Sequence, residues 1–152
     1  MTTIKTSLWF ADEVEQATAF YAGLLPDSHI DHVLRDGDGN PVQVSFTLVG
    51  REFTAINGGG MDFAFNESVS LVVTTGTQEE ADRYWEALTA NGGEESQCGW
   101  LKDRYGLSWQ IVPEPAMALL SDPDPEVAGK AMASLRGMRR IDSVEMERAA
   151  RG

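Results

Sequence analysis

The chain has 152 residues, enough for one domain with a real core and too few for two comfortable ones. Twenty-four acidic residues against twelve basic ones give a formal charge of −12, a field that repels nucleic-acid backbones and anionic lipid surfaces. No apolar run reaches the ~20 residues of a membrane helix. The segment Met1-Thr2-Thr3-Ile4-Lys5 lacks the charged-then-apolar pattern of a secretory leader, and the lone Cys98 cannot form an internal disulfide. Together these predict a cytoplasmic protein with neither a nucleic-acid nor a membrane partner.

In chain order, residues 4–10 predict a strand. Residues 13–25 follow at helical period, with Val14, Ala17, Phe20, Tyr21, Leu24 and Leu25 on one stripe. Asp12 is placed to cap that helix, with Glu15 three residues on, and Pro26 ends it. Strands are expected at 28–35, 42–49 and 51–57, separated by the turn 36–41 and by Gly50. Gly58-Gly59-Gly60 reads as a hairpin or module linker.

The order then repeats, with a strand at 68–75, a helix at 78–91 capped by Thr77, and short strands near 94–98, 99–104 and 107–112. Glu15-Gln16-Ala17-x-x-Phe20-Tyr21-x-x-Leu24 lies over Glu79-Glu80-Ala81-x-x-Tyr84-Trp85-x-x-Leu88 at a constant offset of 64 residues. Carried back into the strands, that offset lays Leu8-Trp9-Phe10 over Val72-Val73-Thr74. A shared acid–Ala–aromatic–aromatic–Leu pattern at fixed spacing is the signature of an internal duplication. From about residue 115 the composition changes. Ala116–Leu120 reads as a short helix, Asp124 with Pro125 opens a longer one, and Asp142 with Glu145 caps a last one. This gives an α+β fold of two strand–helix–three-strand modules (1–60 and 66–114) within a domain over 1–114, and a helical extension over 115–152. The eight strands are expected to form one curved mixed sheet around a cavity, since one helix covers only one face of four strands.

Several segments carry a specific likeness: Leu8-Trp9-Phe10, Phe20-Tyr21, Leu25-Pro26-Asp27-Ser28, Phe53 with Asn57-Gly58-Gly59, Cys98-Gly99-Trp100-Leu101-Lys102-Asp103, and Gly106 through Pro113, with Leu120-Ser121-Asp122-Pro123-Asp124 in the tail. On these the chain resembles the vicinal oxygen chelate superfamily (glyoxalase, bleomycin-resistance and extradiol dioxygenase proteins), and within it the PhnB-like, demethylubiquinone 3-methyltransferase-like family. The resemblance implies two βαβββ modules and a small organic ligand. It also implies subunit pairing, hence a homodimer.

In metal-using members of the superfamily the first-strand ligand lies 14 residues before the helix aromatic. That count selects Thr6 and Ser70; the last-strand position falls at Gln110, and matching Gly50 to Tyr105-Gly106 places Thr54 or a neighbour opposite it. Neutral hydroxyls and one amide make a poor divalent site, so no metal and no other cofactor is expected. Glu52 is the acid that a two-residue slip would bring into the pocket. His29 and His32, three apart on a strand, are expected on opposite faces and unable to chelate one ion. Thr6, Thr54, Ser70, Gln110, Asn57, Trp100 and Lys102 are the candidate pocket residues, Lys102 as a partner for an anionic group. Trp9, Trp109, Phe10 and Phe53 are candidates for apolar walls or core. No nucleophile–base spacing is present, and Cys98 reads as a small packed residue rather than a thiolate. The residues leave three functions open: a metal-free small-molecule-binding protein of the bleomycin-resistance type, a metal-independent enzyme on a small organic substrate, or a dimeric protein whose pocket is filled by its own side chains. A metal-dependent lyase, isomerase or dioxygenase enters only if the ligand count is wrong.

Overall fold

The computed structural model describes residues 1–152. The chain divides into two compact units, Met1–Ala64 and Phe65–Gly152. The first runs β1 (Thr6–Phe10), α1 (Val14–Leu24), β2 (His29–Arg35), β3 (Pro41–Leu48) and β4 (Arg51–Asn57). The second runs β5 (Ser70–Thr75), α2 (Gln78–Thr89), β6 (Glu94–Glu95), β7 (Trp100–Lys102) and β8 (Ser108–Pro113), then the tail helices α3 (Glu114–Leu120), α4 (Pro125–Arg136) and α5 (Ser143–Arg151). Each unit has its own four-stranded mixed sheet, ordered β1-β4-β3-β2 and β5-β8-β7-β6. The first strand lies parallel to the fourth and the others are antiparallel. These are the two βαβββ modules. No helix is long and apolar enough to cross a membrane.

One helix backs each sheet, and side chains sort by strand parity. In the first unit Leu8, Phe10, Val44, Phe46, Phe53 and Ala55 are buried with Val14, Ala17, Thr18 and Tyr21 of α1. Phe46 stacks on its cross-strand partner Phe53 with ring centroids 5.4 Å apart. In the second unit Leu101, Trp109 and Ile111 are buried with Ala81, Tyr84, Trp85 and Leu88 of α2. The helical stripe shared at offset 64 is therefore the core-facing stripe of both helices, and both helices begin 64 residues apart, at Val14 and Gln78.

The offset does not carry into the strands. β1 ends at Phe10 and β5 at Thr75, because three residues join strand to helix in the first unit and two in the second. Buried Phe10 therefore corresponds to buried Thr75, not to exposed Thr74. Thr6 and Ser70 then fall on opposite faces of their sheets.

Caps follow the local sequence where a short polar residue precedes the helix. Thr77 accepts from Glu80 N–H at 3.2 Å, Asp124 accepts from Glu126 N–H at 2.9 Å, and Asp142 accepts from Val144 and Glu145 N–H. α1 is the exception. Its N-cap is Glu13, which makes no side-chain cap bond, and Asp12 does not serve. Instead the Asn57 side chain, 43 residues later at the end of β4, accepts from Val14 N–H at 2.9 Å. Its amide also donates to Pro41 O at 3.0 Å.

The tail helices share a cluster of Ala116, Leu119, Ala131, Leu135, Ile141, Met146 and Ala150, against which Cys98 and Val112 pack. Backbone bonds from Cys98 N to Met138 O and from Gly99 N to Arg139 O, each 2.8 Å, dock the tail on the turn before β7. Gly99 has φ +84, and a Cβ there would stand 2.8 Å from Ile141 Cδ1 and 2.9 Å from Ile111 O. Only glycine meets both demands at this position.

Candidate functional site

The face of each sheet turned away from its helix carries the polar side chains. In the second unit, register and parity build two cross-strand rows there. Lys102, Ser108 and Ser70 form one row; Trp100, Gln110 and Val72 form the next. Gln110 Nε2 donates to Ser70 Oγ at 2.9 Å, tying the rows together. Lys102 Nζ lies 2.7 Å from Glu67 Oε1. That pair raises the Lys102 ammonium above its ordinary value, and the hydrogen bond from Lys102 is the first cause of the lowered Glu67 carboxyl. A depressed carboxyl loses its partner as pH falls through its folded value, so the pair persists at neutrality and opens only below an ordinary carboxylate value near 4.5.

Beside this row lies a cleft of about 130 Å³ lined by Glu67, Glu94, Trp100, Lys102 and Ser108 among others. Ser108 is 0% exposed, and its hydroxyl has no hydrogen-bond partner. A buried hydroxyl without a partner costs ~1–3 kcal/mol of desolvation, so its place on this face calls for a reason. Spacing alone did not single out Ser108. The signal was its place two residues before Gln110 on one strand face, read only once the register was known.

Of the other candidate residues, Ser70, Gln110, Trp100 and Lys102 share this uncovered face. Thr54, half-buried, stands on the uncovered face of the first unit with Ser7 and Trp9. Thr6 and Asn57 lie on its helix side, Thr6 in register with Phe53 and Asn57 engaged in holding α1. Glu52 shares the parity of Thr54 but is exposed and paired with Lys5 at 3.1 Å. Phe10, Phe53 and Trp109 are core.

The two histidines correct the sequence expectation. β2 bulges between Ile30 and His32, so His29 pairs with Thr47 and His32 with Ser45, two residues apart on β3. Both therefore share one face, the extra residue of the bulge having reversed the parity. His29 Nε2 is bound to Asp31 at 3.1 Å. Even so, no group of three or more His, Cys, Asp or Glu is placed to hold a metal ion.

Gly58 has a structural reason. A Cβ on it would stand 1.9 Å from the Trp9 indole, whose Nε1 donates to Gly59 O at 3.2 Å and whose ring meets Phe63 edge-on at 5.3 Å. Gly58→Ala is expected to expel the indole and to cost about 2 kcal/mol, checked by denaturant unfolding and a red shift of tryptophan emission.

Paired βαβββ modules, each with a four-stranded sheet backed by one helix, define a protein of the glyoxalase and vicinal oxygen chelate class. The family model described as 3-demethylubiquinone-9 3-methyltransferase matches residues 2–112, and the chain belongs to that family. Among solved structures, the PhnB protein of Bacillus cereus, described with the same methyltransferase name, is 32% identical, with a TM-score of 0.69 over 74% of this chain and 99% of that one. A Pseudomonas aeruginosa protein is 16% identical, with a TM-score of 0.63 over 75% of this chain and 98% of that one. The fosfomycin resistance protein FosX of Listeria monocytogenes, solved with Mn(II) and sulfate, is 17% identical, with a TM-score of 0.52 over 71% of this chain and 88% of that one. The last two share the fold. No curated protein matches the chain.

The family description implies a methyl donor and FosX a divalent ion, and the residues fit neither. Gly58 and Gly59 spend their N–H groups on Phe10 O and Ala11 O at 3.0 Å, lie under Trp9, and lead to a strand rather than to a helix N-terminus. Ser70 and Gln110 bond to each other and bring no imidazole or carboxylate to an ion.

Proposed function

We propose that the chain is a metal-free small-molecule-binding protein of the bleomycin-resistance type, with its ligand held on the uncovered sheet face of the second unit. The observation that carries this reading is the pair of cross-strand rows on that face, one of which holds the buried, unsatisfied Ser108 hydroxyl. Gln110 and Ser70 orient a polar group of the ligand, and Trp100 supplies an aromatic wall. Exposed Val72, at 58%, extends the apolar part of the surface. The free thiol of Cys98 supports a reducing, cytoplasmic setting. A metal-independent enzyme is less well supported, since the face offers no nucleophile–base pair.

The test is a thermal-shift screen of small aromatic alcohols, amines and carboxylates, with and without a chelator. The expected result is a compound that raises the midpoint equally in both conditions and whose affinity falls about tenfold in Trp100→Ala, about 1.4 kcal/mol. A rise that the chelator abolishes contradicts the proposal.

A further inference from the structure

The cleft at the end of the Lys102–Ser108 row has a charge balance that selects its occupant. Glu67, Glu94 and Glu95 line it, against the single ammonium of Lys102. Glu95 is engaged, accepting from Trp85 Nε1 at 2.7 Å and pairing with the Arg139 guanidinium at 3.9 Å, and Glu67 is held by Lys102. Glu94 stands directly across from Lys102 in the β6–β7 register, where its charge adds to the field that raises the Lys102 ammonium, but its carboxylate makes no direct hydrogen bond or ion pair. The floor holds the Ser108 hydroxyl, fully buried and without a partner, and Trp100 forms part of the wall. An anion entering here meets more negative than positive charge and must first break the Lys102–Glu67 pair. An ammonium group meets a carboxylate with no hydrogen-bonded partner, a hydroxyl oxygen able to accept, and an aromatic ring. At ~30 Å³ per water, 130 Å³ holds about four waters, so the cleft takes a head group and the remainder of the molecule lies along Gln110 and Ser70.

We propose that this cleft is the head-group subsite for a small organic ammonium ligand, a primary amine whose N–H groups donate to Glu94 and to Ser108 Oγ while its first carbons rest on Trp100. This rests on the ligand-binding reading above and adds the chemical class.

The experiment follows backbone amide shifts of the full chain during titration with n-butylammonium, with butyrate and with n-butanol, at fixed ionic strength set by sodium chloride. The expected result is saturable change at residues 94, 102 and 108 with butylammonium alone. The affinity should weaken at least fivefold in Glu94→Gln, an exposed edge position that tolerates substitution, and stay unchanged in Glu79→Gln on α2. Butyrate binding at those residues in preference to butylammonium overturns the proposal, as does a butylammonium response spread over the acidic surface of α2. If none of the three binds, the proposal is overturned. The wider reading then stands where an aromatic compound still moves Ser70 and Gln110, and falls with it where no compound does.

Discussion

Asp103→Ala is expected to remove about 4 kcal/mol of stability, the largest single effect in the chain. Asp103 is 2% exposed, and its carboxylate receives three donors: Tyr105 N–H at 2.8 Å, Leu107 N–H at 3.1 Å and Trp109 Nε1 at 2.8 Å. Bonds to a charged acceptor contribute about 1.5–3 kcal/mol each, and removing the acceptor strands an indole N–H and an amide N–H in the core. The same three bonds fix the turn between β7 and β8, and so set Lys102 opposite Ser108. Asp103→Asn keeps one oxygen but turns an amide N–H against these donors, and should cost about half as much. Denaturant unfolding of both variants checks the order. A loss below 1 kcal/mol for the alanine would show that the turn holds without its carboxylate.

Gln78→Ala is expected to cost about 3 kcal/mol and to free the tail. The Gln78 amide donates to Ile141 O at 2.7 Å and to Asp82 Oδ1 at 2.9 Å, and its oxygen accepts from the Ser143 N–H and hydroxyl at 2.8 Å each. One side chain thus joins the first turn of α2 to the start of α5, and its loss leaves both Ser143 donors at a position only 6% exposed. Because α5 makes its remaining contacts chiefly with α3 and α4, local opening of the tail should precede global unfolding. Limited proteolysis should therefore release fragments cut after residue 136 faster in the variant, while the sheet of the second unit stays protected. Equal cleavage rates would contradict this.

Much of the fold was legible because it is written in local signals. The stripe at offset 64, the caps Thr77, Asp124 and Asp142, and the turn glycine at 50 each act within a few residues, and each element they announce is present. The glycine match of 50 with 106 also holds: Thr54 stands three residues before the β4 partner of the last β1 residue, as Gln110 does in β8 with β5. What failed depended on single residues whose effect is global. A connection one residue shorter before α2 reversed the parity of Thr6 relative to Ser70. One bulge residue in β2 brought His29 and His32 to the same face. A strand period of two makes any one-residue change an inversion, and no local pattern announces it. Asn57 shows the other limit: an amide expected in the pocket caps a helix 43 residues away, a bond that no sequence spacing encodes.

The most direct test of the central claim is a crystal structure of the chain grown with a chelator present and soaked with the compound of largest thermal shift. The account predicts density for that compound on the uncovered face of the second unit, against Trp100, Gln110 and Ser70. Density seated only among the tail helices, or a ligand-bound ion coordinated at Gln110 once the chelator is omitted, would contradict it.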